Sequence, residues 1–258
     1  MDFLTSCREI TKEVEELISG LIGRPEAGEF VRIGADGTPT QKIDQIAEDC
    51  ILHYLGEHPL CRTLISEEAG RREMRGERGT IFLDPIDGTY NAVTGIPFYA
   101  LSIAYAEEGI VQEGYVRDLA HKETFWAVRG SGAFHDGRPM HVSPISFLEN
   151  SAMSVYGRKF NPGTVMQLGR KIRRWRLLGA SALELCYVGS GMIDGFIDLR
   201  GTLRVTDAAA GMLVCEEAGG VVSDVDGKTI HFPDEVTVGK CLIATNGALH
   251  HKVIEYLR

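Results

Sequence analysis

The sequence has no CxxC pair, no apolar run approaching the length of a membrane span, and no excess of positive charge. Each absence excludes a class. Cys7, Cys50, Cys61, Cys186, Cys215 and Cys241 are scattered singly, which argues against zinc ribbons and disulfide frameworks and for free, mostly buried thiols in a reducing compartment. Without a stretch near 18 apolar residues, no membrane span is expected. The opening residues, MDFLTSCREITKEVEEL, have neither the basic start nor the apolar run of a secretory signal, so the cytoplasm is the expected location. Acidic residues number 36 against 27 basic, and the net charge of −9 disfavours nucleic acid and membrane surfaces as partners. The histidines show no metal-ligand spacing, and Ser181 and Ser190 have no His and Asp partners that would suggest a nucleophilic triad.

What the sequence does contain is regular patterning. Its 258 residues can bury roughly three quarters of the unfolded surface, enough to dispense with staples. Phe3, Leu4, Cys7, Ile10, Val14, Leu17, Ile18 and Leu21 recur at helical spacing, and Gly20, Gly23 and Pro25 end that helix. A polar segment with Gly34, Asp36, Gly37 and Pro39 reads as a mobile loop. Thr40 is the expected N-cap of a second helix, with Asp44 near its first turn. A short strand at Thr63–Ser66 leads into Glu67 and Glu68. The charged run RREMRGERG reads as a surface loop, Thr80–Leu83 as a strand, and hairpin signals follow at Glu108-Gly109, His121-Lys122 and Asp136-Gly137. Past residue 142, strands expected at 153–156, 175–178 and 242–245 alternate with helices at 162–173, 181–190, 206–217 and 248–257. The expected organisation is an α+β unit over residues 1–141 and a partly parallel α/β unit over residues 142–258.

The most informative segment is Ile81-Phe82-Leu83-Asp84-Pro85-Ile86-Asp87-Gly88-Thr89. An apolar strand delivers Asp84, Pro85 bends the chain, and Asp87 turns back toward Asp84. Gly88 permits close backbone approach, and its N–H with that of Thr89 can face an anion at a helix start. Glu67, Asp44 and Asp207 each have an ordinary reading when taken alone: a solvated strand end, a first-turn acid and a helix cap. Together with Asp84 and Asp87 they would make a cluster of up to five carboxylates. Like charges about 4 Å apart repel by roughly 4 kcal/mol at an effective dielectric of 20, so such a cluster needs cations or raised pKa values. Oxygen donors without His or Cys favour Mg²⁺ over Zn²⁺.

LDPIDGTYN, with ISEEAG before it and RVTDAAAGMLVCEEAGG after it, resembles the inositol monophosphatase family in motif order and spacing, over nearly the whole chain. The resemblance implies a layered αβαβα sandwich with an antiparallel N-terminal sheet and a smaller, mostly parallel C-terminal one. It implies a phosphoric monoester hydrolase, commonly a homodimer, that uses two or three Mg²⁺ ions, with Mn²⁺ able to substitute. Glu67, Asp84 and the Ile86 carbonyl would hold one ion; Asp84, Asp87 and Asp207 a second; a third, weaker ion would lie near Glu67 and the loop at Asp36. Thr89 and Asp44 match the pair that orients and activates the attacking water, with Glu67 also counted as catalytic. Gly88 and Thr89 would donate N–H groups to the phosphate. Attack would be direct and in line, without a phospho-enzyme.

On the substrate side, the resemblance gives Gly179, Ala180 and Ser181 a sugar-facing role; packing of small residues between helix and sheet is the competing explanation. Inositol-specific members carry a Glu seven residues before the position of Asp207. Here that position is Arg200, which suits a second anionic group better. Arg176 and Arg158 are further candidates for a distal phosphate. The pattern resembles the archaeal-type branch, which hydrolyses both fructose 1,6-bisphosphate and inositol monophosphate. Rival readings are an inositol-monophosphate-only enzyme, an adenosine 3′,5′-bisphosphate nucleotidase, and a non-catalytic regulatory partner protein.

Overall fold

The computed structural model describes residues 2–157 and 162–257. The first apolar stripe becomes α1 (Phe3–Ile18), capped by the Asp2 carboxylate, which accepts from Thr5 N–H. A two-stranded hairpin, β1 (Phe30–Ile33) and β2 (Pro39–Gln41), then precedes α2 (Lys42–Glu57). The helix begins one residue later than Thr40 as cap would give. Gln41 is the N-cap, Asp44 reaches back to its N–H, and the Thr40 hydroxyl is spent on Glu68.

The large sheet has eight strands: β3 (Thr63–Ser66), β4 (Gly70–Glu73), β5 (Thr80–Asp87), β6 (Ala100–Glu107), β7 (Ile110–Asp118), β8 (Glu123–Val128), β9 (Gly132–His135) and β10 (Arg138–Pro139). It is antiparallel except where β3 runs beside β5. The expected hairpin turns are present, with positive φ at Glu108, Gly109, Lys122, Asp136 and Gly137. The run RREMRGERG is not all loop. Its first residues complete β4, an edge strand whose exposed charges discourage further pairing.

Between β5 and β6 lies the short helix α3 (Thr89–Thr94). The second half supplies β11 (Ala152–Tyr156), α4 (Pro162–Gly169), β12 (Arg174–Arg176), α5 (Ser181–Gly189), β13 (Gly195–Leu203), α6 (Val205–Glu217), β14 (Val221–Ser223), β15 (Lys240–Thr245) and α7 (His250–Leu257). The small sheet has the order β12-β11-β13-β15-β14; β11 pairs in parallel with β12 and β13, and β15 antiparallel with β13 and β14.

Four apolar cores separate five layers. Val14 of α1 and Ile43 of α2 pack with Leu83 of the large sheet. Phe82, on the other face of β5, packs with Leu183 of α5 and Val214 of α6. Leu185 and Cys215, on the far sides of those helices, meet Phe196 of β13. The next residue, Ile197, faces Leu168 of α4 and Val253 of α7. Neighbouring residues of a strand thus feed different cores, as a period of two requires. The α5–α6 pair is apolar all round because it is covered on both faces. No helix among the described residues is long and apolar enough to cross a membrane.

Candidate active site

The parallel β3–β5 pair sets the geometry. Ser66 lies opposite Leu83, so the next residues, Glu67 just past the end of β3 and Asp84 still within β5, come side by side. Asp207, in the first turn of α6, completes a group in which one carboxylate oxygen from each of Glu67, Asp84 and Asp207 lies within 4.8 Å of the others. Burial pushes the pKa of Asp84 far up, and Glu67, Asp87 and Asp207 push it further. Glu67 rises to about 8, chiefly by burial. Asp87 also rises to about 8, by burial and then by Asp207, although the N–H groups of Ser181 (3.1 Å) and Ala182 (2.7 Å) donate to its two oxygens. Buried oxygen donors that repel one another, with no nitrogen or sulfur ligand among them, fit a hard divalent cation.

One cation is already built in, and sequence patterning alone gives it no role. Arg204, the N-cap residue of α6, sends its guanidinium into the cluster. Nη1 meets Asp36 and lies 2.7 Å from Glu67, while Nε and Nη2 each lie 3.1 Å from Asp207. Arg204 is the first residue of the RVTD motif, so the residue itself is in plain view; what the motif lacks is any sign of its spatial link to Asp36.

Beside the cluster, the Thr89 hydroxyl lies 2.9 Å from Asp44 Oδ1 and 2.9 Å from the Ile86 carbonyl. Asp44 occupies the first turn of α2 as Asp207 does that of α6. Each caps its helix with one oxygen and faces the site with the other. Burial raises the Asp44 pKa to about 7, against the lowering effect of the Thr89 hydrogen bond. Gly88, at φ +91, begins α3, and a Cβ there would come within 3.0 Å of the Gly179 carbonyl oxygen. The 84–89 turn and the 179–181 loop therefore touch. Asn91 Nδ2 ties them, donating to both Phe98 O and Leu178 O at 2.7 Å.

In the 179–181 loop, two of the N–H groups expected to face substrate hydroxyls are engaged elsewhere. Gly179 N–H donates to the Tyr156 hydroxyl (2.6 Å) and Ser181 N–H to Asp87. Arg200 is also held. Its N–H, Nε and Nη2 all reach the fully buried Asp198, and its guanidinium stacks 4.4 Å from the Tyr156 ring. Arg176 is exposed at the end of β12, three residues before Gly179. Arg158 lies outside the described residues.

Under the loop, Glu184 is buried, accepting from Ser154 Oγ and from Leu178 N–H (3.0 Å), with the Tyr156 hydroxyl also hydrogen-bonded to its carboxyl. Burial raises its pKa from 4.5 to about 7. Between those values the folded protein keeps a proton that the unfolded chain has released, so this stabilisation is full at low pH and is lost as pH rises through about 7. Glu184→Gln, neutral at every pH, should flatten the fall in Tm between pH 5 and 8 and melt above wild type at pH 8. Parallel melting curves for the two proteins would show that Glu184 does not titrate in this range.

An acidic cluster that fits a divalent cation, beside a hydroxyl–carboxylate pair and the N-terminal ends of α3, α5 and α6, is the apparatus of a metal-dependent phosphoric monoester hydrolase. The chain belongs to the inositol monophosphatase family, which it matches over residues 8–258. It is 40% identical to a fructose-1,6-bisphosphatase/inositol-1-monophosphatase of Methanothermobacter thermautotrophicus, covering 96% of this chain and 94% of the relative. It is 35% identical to a bifunctional NADP phosphatase/NAD kinase of Methanococcus maripaludis, matching 98% of this chain but 49% of that longer protein. Among solved structures, an inositol monophosphatase–fructose 1,6-bisphosphatase superposes with a TM-score of 0.91 at 30% identity over the whole of both chains. The inositol monophosphatase of Thermotoga maritima gives 0.83 at 30% identity, covering 100% of this chain and 97% of that one.

Proposed function

We propose that this phosphatase is Mg²⁺-dependent and hydrolyses sugar and polyol phosphate monoesters, taking both fructose 1,6-bisphosphate and inositol 1-phosphate. The observation that carries the reading is the convergence of Glu67, Asp84 and Asp207 within 4.8 Å, next to the Thr89–Asp44 pair. Bound divalent ions would acidify water and neutralise charge on the attacking and leaving oxygens. The chain's own groups do the rest. Thr89 orients the attacking water through its hydroxyl and passes a proton toward Asp44. Gly88 and Thr89 N–H groups, at the start of α3, face the phosphoryl oxygens. Glu67, Asp84, Asp87, Asp207 and the Ile86 carbonyl are the ion ligands in this reading.

The bisphosphate part of this reading rests on Arg200. With one edge fixed by Asp198 and one face on Tyr156, the guanidinium is pre-oriented, so little freedom is lost when an anion meets its remaining edge. A second reading, removal of the 2′-phosphate of NADP, is favoured by the similarity to about half of the bifunctional NADP phosphatase/NAD kinase of Methanococcus maripaludis, 49% of which is matched. Phosphate release should be measured on fructose 1,6-bisphosphate, inositol 1-phosphate and NADP, with Mg²⁺ and with chelator. Arg200→Ala and Arg176→Ala should raise KM for the bisphosphate by about tenfold or more, the worth of one charge-assisted contact, and barely move it for inositol 1-phosphate. Equal losses on both substrates would remove the distal-phosphate assignment, and turnover undiminished by chelator would remove the metal.

A further inference from the structure

We infer that Arg204 is a resident cation of the catalytic cluster, taking between Asp36 and Glu67 the place that a third divalent ion would fill, and closing the 34–38 loop over the site in the metal-free protein. The inference rests on the reading of Glu67, Asp84 and Asp207 as ion ligands.

The loop joins β1 to β2, and its residues Ala35, Gly37 and Thr38 are exposed, yet the Asp36 side chain is only 1% exposed. A carboxylate turned inward from an exposed loop toward other carboxylates requires a counter-charge. Arg204 is that charge, and its planar fork serves several acids at once. Nη1 spans Asp36 and Glu67, while Nε and Nη2 hold Asp207. An arginine stays charged at every working pH, and no free ion need be bound to supply it.

The rest of the loop is built around this contact. Thr38 N–H donates to Asp36 Oδ1 (2.8 Å), Gly34 N–H to Thr38 O (2.8 Å) and Ala35 N–H to Glu68 O (3.1 Å). Glu68 O also accepts from Arg32 Nη1 at 2.8 Å. The carboxylates divide accordingly. Asp84 and Asp87, which Arg204 does not touch, remain with Glu67 and Asp207 for two divalent ions, whereas a third ion at Asp36 would have to displace a guanidinium held by three acids. The loop whose composition predicts mobility is therefore latched from inside the chain, across 168 positions of sequence.

Two measurements on the full chain test this. Mn²⁺ bound per chain is counted by equilibrium dialysis, and hydrogen exchange of the 34–38 amides is followed with chelator and with Mn²⁺. Wild type should bind two Mn²⁺ and protect the loop amides within about twofold of the same level in both conditions. Arg204→Gln should lose loop protection tenfold or more in chelator, and should regain it with Mn²⁺ while binding one further ion. Asp36→Asn leaves α6 and its cap untouched and keeps the oxygen that Thr38 N–H needs, so it controls for misfolding. It should free the loop from the cluster while still binding two ions.

Three Mn²⁺ on wild type, or loop protection that appears only with Mn²⁺, would overturn the inference while leaving the metal reading intact. Unchanged protection in Arg204→Gln would overturn it too. A wild-type chain that binds no Mn²⁺ would sink the metal reading beneath it as well.

Discussion

Asp84→Asn is expected to lower kcat/KM for phosphate release about a thousandfold or more, with Tm in chelator equal to or above wild type. Asp84 is central in the acidic group, flanked by Glu67, Asp87 and Asp207, each of which opposes its ionisation. Asparagine keeps the shape and the oxygen that accepts from Ile86 N–H at 3.0 Å. It removes a carboxyl that, without metal, must take up a proton or repel its neighbours on folding, so the empty fold should gain stability while the proposed ions lose the ligand they share. Activity on the panel of phosphate esters and melting with and without Mg²⁺ separate the two effects. If activity and metal-free Tm fell together, Asp84 would be a structural residue, and the bridging role would be lost with it.

How much of this is legible in the sequence depends on whether the chemistry lies in local residues. Ile81–Thr89 shows strand, bend and helix start in one run, and the structure has that strand and helix start. The helices beginning near Ser181 and at Val205 are legible from their apolar content and from the acids or small residues at their starts. β13 is not. As the central strand of a sheet covered on both faces it should read as an apolar run, but Asp198 and Arg200 interrupt it, and they do so because the buried Asp198 pairs with the part-exposed Arg200, whose guanidinium stacks on Tyr156. The short β1–β2 hairpin is hidden because the loop between its strands dominates its composition. Arg204 is hidden for a further reason. A residue's worth as a counter-charge depends on partners at positions 36 and 67, and nothing local to an RVTD motif carries that information.

Thr89→Ala is expected to lower kcat by about a hundredfold to a thousandfold, the usual range for losing a positioned proton-transfer group, and to change KM by less than about threefold. The hydroxyl has one proton and two acceptors at 2.9 Å, Asp44 Oδ1 and the Ile86 carbonyl, which hold the oxygen in position and compete for that proton. In the proposed relay its lone pairs would receive a proton from the attacking water while its own proton moves to Asp44. Asp44 must be ionised to accept it, so activity should fall as pH drops through the Asp44 pKa, which burial has already lifted to about 7 and which the Thr89 hydrogen bond holds down. Removing that bond stabilises the charged form less. The acid limb of the kcat profile in Thr89→Ala should therefore move to higher pH, on top of the loss in rate. Thr89→Ser keeps the hydroxyl and should keep the limb in place, whereas Asp44→Asn should abolish it. If Thr89→Ala retained its rate, the residue would be no more than the first of a short helix. If the rate fell but the limb stayed where it was, Thr89 would orient water without coupling to Asp44, and the proton would have to leave by another group.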